Sequence, residues 1–306
     1  MVKDKKLYHE LLPIVIMGGL FVVIHFFAIL LVPLFVDAEM QAFEEVNDPL
    51  NLIYIFVILL VMTAAILLIA KFWKKQLIQV IILGAIGYTA FWVFRPLFQL
   101  AFSWQISMII SAVIAIFLVI TLFKYPEWYI IDICGIIIGA GAIAIFGISL
   151  GILLVILLLI GLAIYDAISV YKTKHMIDLA DAVMDLKLPV LLVVPKKRRY
   201  SLIKETKSLK EKIKDDEERD AFFMGLGDIV MPGILVAASF HFVTDGLPIA
   251  ISVMVGTLVG FAILMTFVIK GKPQAGLPCL GGGAIAGYVI SSLVLRGEIV
   301  GLALPF

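Results

Sequence analysis

The chain has 306 residues, of which 63% are hydrophobic and 15% are charged, and its mean hydropathy is +1.14. Soluble domains have roughly 45–50% apolar and about 25% charged residues, so this composition excludes a soluble globular protein. The apolar residues fall in runs of about 20, the length of a membrane-spanning helix, and not in the alternating ten-residue segments of a β-barrel. The net charge of +1 gives no indication of nucleic-acid binding.

Nine apolar runs predict an all-α, polytopic membrane protein, a bundle of nine transmembrane helices. The predicted spans are Leu11–Val36, Leu50–Phe72, Leu77–Phe94, Phe98–Phe123, Trp128–Phe146, Gly151–Tyr171, Ala221–Phe242, Pro248–Lys270 and Leu277–Leu295. Arg95-Pro96 is expected to break the chain between the third and fourth spans. The organisation is therefore six spans in residues 1–171, a cytoplasmic loop in residues 172–220, and three spans in residues 221–306.

The distribution of positive charge predicts how the bundle is oriented. With the N-terminus in the cytoplasm, all 24 Lys and Arg residues except Arg95 and Arg296 fall on the cytoplasmic side. Cytoplasmic segments of membrane proteins carry the excess of Lys and Arg. We therefore expect an integral protein of the cell membrane with its N-terminus inside and its C-terminus outside.

The long loop contains two predicted elements. Between Ile177 and Met184, apolar and acidic residues alternate at helical spacing, so the sixth span is expected to continue as an amphipathic surface helix. The β-branched run Leu188–Val194 lies between two prolines and predicts a strand. The basic cluster Lys196–Arg199 is expected to be a topology signal near anionic headgroups.

Two carboxylates lie inside stretches that are otherwise apolar enough to span the bilayer. An ionisable group at such a depth costs about 2.5–3.5 kcal/mol, so each is a functional candidate. Asp166 lies six residues before Lys172, and Asp228 lies nine residues after Arg219. At about 1.5 Å per helical residue, both are predicted roughly 9–13 Å from the same membrane face. Antiparallel packing of the sixth and seventh spans would bring them face to face.

A third segment opens the ninth span at the same predicted depth. Gly276–Gly283 contains Pro278 and several glycines, which disfavour a regular helix. Non-helical backbone at membrane depth is tolerated only when it is buried in protein or lines a wet cavity. The sequence therefore predicts an irregular segment that converges with the two carboxylates.

Two carboxylates in one site do not both ionise easily, so the pair is expected to hold one proton near neutral pH. The ionised member then activates a water molecule, and the protonated member polarises a peptide carbonyl and protonates the leaving amine. This is aspartyl proteolysis, and it predicts no metal and no cofactor. Gly225 and Gly227 leave room for substrate backbone beside Asp228. The Leu188–Val194 strand and the Pro278 segment are expected to offer backbone groups to an extended substrate.

The residues alone leave other functions open. The same carboxylates suit a proton-coupled transporter or a cation channel, and interhelical hydrogen bonding in a non-catalytic scaffold is a third possibility. The sequence has no His-Glu-x-x-His motif, which argues against a zinc protease. Cys134 and Cys279 predict neither a disulfide framework nor a thiolate metal site. His25 is not expected to reach the carboxylates, and Asp132 is expected to be interfacial.

Three short motifs, in this order, resemble those of the presenilin and signal peptide peptidase family of intramembrane aspartyl proteases. They are Tyr165-Asp166 in the sixth span, Gly225-Leu226-Gly227-Asp228 in the seventh, and Leu277-Pro278-Cys279-Leu280 at the start of the ninth. The resemblance implies that Asp166 and Asp228 are the catalytic pair. It also implies that Pro278-Cys279-Leu280 takes the place of the family's Pro-Ala-Leu, with cysteine for alanine. The other motif residues are expected to support the site or bind substrate.

The resemblance extends to the number of spans, the long loop and the predicted orientation. A short chain without a large extramembrane domain looks most like the archaeal presenilin homologues. By this resemblance, the partners are the lipid bilayer and single-span membrane proteins with their N-terminus outside, which are the substrates. No nucleic-acid partner is expected, and the sequence does not predict an oligomeric state.

Overall fold

The computed structural model describes residues 2–72, 75–173, 191–196, 200–203, 220–269 and 274–302. The predicted surface helix between Ile177 and Met184 lies outside these ranges. So do residues 197–199 of the predicted basic cluster and the charged tract at residues 204–219.

Nine α-helices make up most of the described chain. They are α1 (Val2–Asp37), α2 (Leu50–Phe72), α3 (Lys75–Gln99), α4 (Trp104–Lys124), α5 (Trp128–Ser149), α6 (Ile152–Ile168), α7 (Leu226–Phe242), α8 (Leu247–Ile269) and α9 (Gly276–Arg296). By length and composition, seven of them are able to cross a membrane, and Leu50–Ala65 of α2 and the whole of α7 are shorter apolar helices. The prediction of an all-α membrane protein is confirmed.

The predicted break at Arg95-Pro96 is wrong, because α3 continues through both residues to Gln99. Pro96 lies in the last turn, where the missing N–H removes a single helical hydrogen bond. The guanidinium of Arg95 packs over the ring of Trp92, 4.9 Å from its centroid, which favours the helical arrangement. As a consequence α4 begins at Trp104, later than predicted.

Two short strands pair beside the start of α5. β1 (Leu191–Pro195) and β2 (Ala221–Gly225) are antiparallel, with Leu191 opposite Gly225. β1 lies in the segment that the sequence predicts as a strand. The predicted start of the seventh helix at Ala221 is wrong: the first five residues form β2, because their aromatic and apolar side chains suit a paired, half-buried strand. The helix begins only at Leu226.

The prediction of an irregular segment at the start of α9 is also wrong. The helix begins at Gly276, after the extended residue Ala275, and passes through Pro278 without interruption. Proline is tolerated there because N–H groups in the first turn have no partner within the helix. Further along, Gly283 of α9 lies against the backbone of Gly256 in α8. Close backbone packing of this kind compensates for the low helix propensity of glycine.

The helix that carries Asp228, α7, packs on α5. Helix α5 also contacts α1, α3 and β1, while α9 packs against α6, α7 and α8. The described core is apolar and continuous from α1 through α5 to α7, α8 and α9. The ends of α6, α7 and α9 that carry the three motifs therefore meet in one place.

Candidate active site

Asp166 lies in the last turn of α6, and its side chain is 6% exposed. The helix does not stop there but continues as a π-helical turn over Ser169–Thr173. Turns of this kind are frequent at functional sites. The neighbouring side chain of Tyr165 is 52% exposed, so these two adjacent residues have different environments.

The carboxylate of Asp166 binds the N-terminus of α9. Its Oδ2 accepts a 3.0 Å hydrogen bond from the backbone N–H of Leu277, and the N–H of Gly276 is a second donor. These N–H groups open α9 and have no acceptor within the helix. A helix N-terminus also carries a positive partial charge, which attracts an anionic group. Asp166 therefore caps α9 from a different helix.

Asp228 lies in the first turn of α7, directly after β2. Two glycines surround its carboxyl group. A Cβ atom on Gly225 would lie 3.3 Å from Oδ2 of Asp228, and a Cβ atom on Gly276 would lie 3.2 Å from the same oxygen. Both spacings are tighter than ordinary van der Waals contact, so glycine at these positions leaves the carboxyl group its place.

The dipeptide Gly276-Leu277 contacts both carboxylates. Asp228 approaches the Cα of Gly276, and Asp166 approaches the N–H of Leu277. The Cβ position of Gly276 and the backbone nitrogen of Leu277 are about 3 Å apart. With the 3.2 Å from Asp228 to the first and the 3.0 Å from Asp166 to the second, the nearest oxygens of the two carboxylates are at most about 10 Å apart. The two groups also interact electrostatically. The structure thus brings together the motifs of the sixth, seventh and ninth spans.

An apolar cavity of about 540 Å³ reaches the residues before Asp228. Most of its lining comes from α2 and α3, and Leu226, Gly227 and Val230 line it from α7. A Cβ atom on Gly227 would meet nothing within 4 Å, so this glycine faces open space. The cavity therefore adjoins the start of α7, and its apolar lining has the chemistry of a site for an apolar chain.

Pro278, Cys279 and Leu280 follow directly after the two residues of α9 that contact the carboxylates. Leu280 is fully buried, and a Cβ atom on Gly260 of α8 would meet the carbonyl carbon of Cys279 at 3.0 Å. These contacts hold α9 against α8. The hydrogen bonds to Asp166 come instead from the preceding backbone at Gly276 and Leu277, a donor role that the sequence analysis did not predict. The tendency of helix N-termini to bind anions is the signal that points to them.

His25 of α1 contacts the backbone of α7 just after Asp228, and no contact of His25 with either carboxylate is seen among the described residues. Its side chain is fully buried, and its Nε2–H donates a 3.0 Å hydrogen bond to the carbonyl of Ile229, the residue after Asp228. Three residues later, Pro232 has no N–H to offer the carbonyl of Asp228. The first turns of α7 are therefore held partly from another helix.

Asp132 of α5 lies in an environment that differs from the one expected from the sequence. It is 7% exposed, and its Oδ1 accepts a 2.8 Å hydrogen bond from the backbone N–H of Val193 in β1. The expectation of an interfacial side chain is therefore wrong. Its position four residues into the helix faces β1, not the lipid headgroups.

A pair of neighbouring carboxyl groups at helix N-termini, inside an apolar helical bundle, defines the class of intramembrane aspartic proteases. The family model for signal-peptide peptidase and presenilin aspartyl proteases matches residues 18–297. The chain belongs to this family.

Two solved structures of a presenilin family intramembrane aspartate protease are similar to this chain. The one in space group C222 has 33% sequence identity and a TM-score of 0.70, covering 92% of this chain and 99% of its own. The one in space group P2 has 34% identity and a TM-score of 0.68, covering 92% and 98%. No curated protein matches the sequence.

The chain is thus an aspartic endopeptidase of the membrane, which acts on transmembrane substrates within the bilayer. The resemblance recognised in the sequence is confirmed, and the transporter or channel alternative is not favoured. In the part of the chain that the structure describes, no group of three or more His, Cys, Asp or Glu side chains is arranged to hold a metal ion.

Proposed function

We propose that Asp166 and Asp228 are the two carboxylates with which this protease hydrolyses peptide bonds. The observation that carries the proposal is the dipeptide Gly276-Leu277, which is in contact with both carboxylates. One carboxylate, ionised, takes a proton from the attacking water. The other, protonated, polarises the peptide carbonyl through a hydrogen bond and later gives its proton to the leaving amine. Because Oδ2 of Asp166 is held by α9, its other oxygen is the one available to water or substrate.

The substrate's apolar part is proposed to lie in the cavity beside Leu226 and Gly227. That cavity is lined by apolar side chains, and its size suits a segment of a transmembrane helix rather than a polar peptide. Gly225 and Gly227 give substrate backbone access to Asp228. The remaining motif residues are proposed to support the site, and they are Tyr165, Leu226, Pro278, Cys279 and Leu280.

An extended stretch of substrate is proposed to add to the outer edge of β2. Residues of an antiparallel strand direct both backbone groups alternately toward and away from the partner strand. Ala221, Phe223 and Gly225 are the residues of β2 that direct theirs away from β1. The expectation that β1 receives the substrate is revised, since α5 covers the outer edge of β1. A substrate strand on β2 ends next to Asp228.

All nine helices are proposed to cross the membrane, with the N-terminus in the cytoplasm and the C-terminus outside. Residues 1–171 then carry Asp166, residues 221–306 carry Asp228, and residues 172–220 form a cytoplasmic connection. Substrates are proposed to be single-span proteins with their N-terminus outside, so their chain runs antiparallel to β2. Labelling with an impermeant maleimide tests this topology: Glu45→Cys should react in intact cells, and Lys124→Cys should react only after lysis.

The test of the catalytic pair is cleavage of a single-span substrate in detergent, with products identified by mass spectrometry. Asp166→Asn and Asp228→Asn should each lower kcat by about 10⁴-fold or more, as loss of an essential acid or base does. Asp245→Asn makes the same change in the connection between α7 and α8 and should retain the wild-type rate. Wild-type cleavage by either active-site variant overturns the proposal. Ion or solute uptake by proteoliposomes without new peptide ends supports the transporter instead.

A further inference from the structure

The cytoplasmic end of α5 carries a buried carboxylate that the proposed reaction does not use. Asp132 accepts its hydrogen bond from Val193, 61 positions later in the chain. A buried carboxylate is tolerated only where it has partners, because its transfer from water is unfavourable. The contact therefore joins α5 firmly to β1.

The hydrogen bond lies on the outer edge of β1. The N–H of Lys196 donates to the carbonyl of Asp220 at 2.9 Å, which continues the ladder beyond the end of the strands. In an antiparallel ladder every second residue pairs, so Leu192, Val194 and Lys196 face β2, and Val193 faces away from it. Asp132 occupies the position that another strand would otherwise take on this edge.

One face of α5 receives both β1 and the start of α7. Asp132, Gly135 and Gly139 recur at helical spacing and form this face, which we call the α5 seat. A Cβ atom on Gly135 would lie 2.7 Å from Cδ2 of Leu192, and one on Gly139 would lie 3.1 Å from Cδ1 of Leu226. The seat thus fixes β1 and also a residue two positions before Asp228.

We propose that Asp132 is a positioning residue for peptide-bond hydrolysis by this protein. By holding β1 on the α5 seat, it sets the place of β2 and of the first turn of α7, and through them the place of Asp228. By closing the outer edge of β1, it directs an extended substrate to the edge of β2. This inference rests on the proposed function, since it assigns Asp228 to the reaction.

The experiment compares Asp132→Leu, which removes the acceptor, with Asp132→Asn, which retains an acceptor oxygen at the same place. The measurements are kcat, KM and the cut positions on a single-span substrate in detergent, together with thermal unfolding. Asp132→Leu should lower kcat by about tenfold or more, because a displacement of about 1 Å of a reacting group costs up to about 100-fold. It should also spread the cuts over neighbouring bonds. Asp132→Asn should restore most of kcat and the wild-type cut position.

A second pair of variants removes the donor and leaves Asp132 in place. Val193→Pro takes away the N–H that Asp132 accepts, while the ladder bonds to β2 come from the alternate residues. Leu191→Pro makes the same change at the other outward-facing position and is the matched control. Val193→Pro should reproduce the loss of kcat, and Leu191→Pro should not. If Asp132→Leu does not yield folded protein, this pair decides the question.

Three outcomes overturn the inference. The first is a wild-type kcat and cut position for Asp132→Leu or Val193→Pro. The second is a lower unfolding temperature with kcat, KM and the cut position unchanged, which is expected if the contact only stabilises the fold. The third is an equal loss of kcat in Leu191→Pro. All three are distinct from failure of the proposed catalytic pair, which is seen in Asp166→Asn and Asp228→Asn instead.

Discussion

The backbone N–H of Leu277 donates a 3.0 Å hydrogen bond to Oδ2 of Asp166, a residue 111 positions earlier in the chain. This contact joins the end of α6 to the beginning of α9. Because α9 packs on α8 through facing glycines, the orientation of Asp166 depends on both parts of the chain. Four predictions follow from this arrangement and from the contacts around it.

Leu277→Pro should lower kcat by removing the donor to Asp166. A proline in the first turn of a helix is compatible with the helix, so α9 should persist. Hydrogen bonds to charged groups contribute about 1.5–3 kcal/mol, which corresponds to a loss of about tenfold or more. Leu277→Ala retains the N–H and is the control. Equal rates for the two variants in the cleavage assay would show that this hydrogen bond is unimportant for the reaction.

Gly276→Ala should reduce cleavage through steric displacement of Asp228. The added Cβ atom would lie 3.2 Å from Oδ2 of that residue. Gly282→Ala makes the same change later in α9, where an added Cβ atom meets nothing within 4 Å. We expect kcat to fall in the first variant only, with both proteins unfolding at similar temperatures. Equal activity of the two variants contradicts the placement of Asp228 beside Gly276.

His25→Leu should destabilise the protein, because the carbonyl of Ile229 loses its donor from α1. A buried polar group left without a partner costs about 1–3 kcal/mol. His25→Gln places an amide donor within similar reach and should recover part of the loss. Ser111→Ala is the control, since the buried hydroxyl of Ser111 has no hydrogen-bond partner among the described residues. The readout is Tm in detergent, and a His25→Leu value equal to that of Ser111→Ala contradicts the prediction.

Glu127→Ala should loosen the segment that follows β1. The Oε1 of Glu127 accepts from the hydroxyl of Ser201 at 2.6 Å, and Oε2 accepts from the N–H of Leu202 at 3.1 Å. Without these bonds, the amide of Leu202 should exchange with deuterium faster, while exchange in α7 stays the same. Glu298→Ala, near the other end of the molecule, provides the comparison. Unchanged exchange at Leu202 means that Glu127 does not hold this segment.

Much of the fold follows from periodicity and length, and the exceptions have physical reasons. A proline in the interior of a helix removes a hydrogen bond and can kink or end the helix, a proline near either end disturbs it less, and sequence alone does not show which turn the proline occupies. Pro96 and Pro278 were both misjudged for this reason. The run that begins at Ala221 is apolar in either conformation, so its assignment to a helix or a strand depends on whether a partner strand lies beside it.

In the candidate site, too, the sequence predicts some features and not others. The carboxylates Asp166 and Asp228 stand out in the sequence because lipid disfavours them, and the motifs around them indicate the family. The roles of His25 and Asp132 depend on which helices pack together, and a single sequence does not contain that information. A backbone donor such as the N–H of Leu277 is not predicted by residue type, because every residue except proline supplies the same group at that position.

The strand that precedes α7 also affects the surrounding lipid. With 17 residues, α7 is about 25 Å long, whereas the hydrocarbon layer of a bilayer is about 30 Å thick. If α7 crosses the membrane as proposed, local thinning of the bilayer is one way in which a mismatch of this size is accommodated. Since Asp228 lies in the first turn of α7, the thinning is expected beside the carboxyl group. The headgroup region then dips toward the carboxyl group, and bulk solvent lies closer to it than the depth of a full-length span would allow.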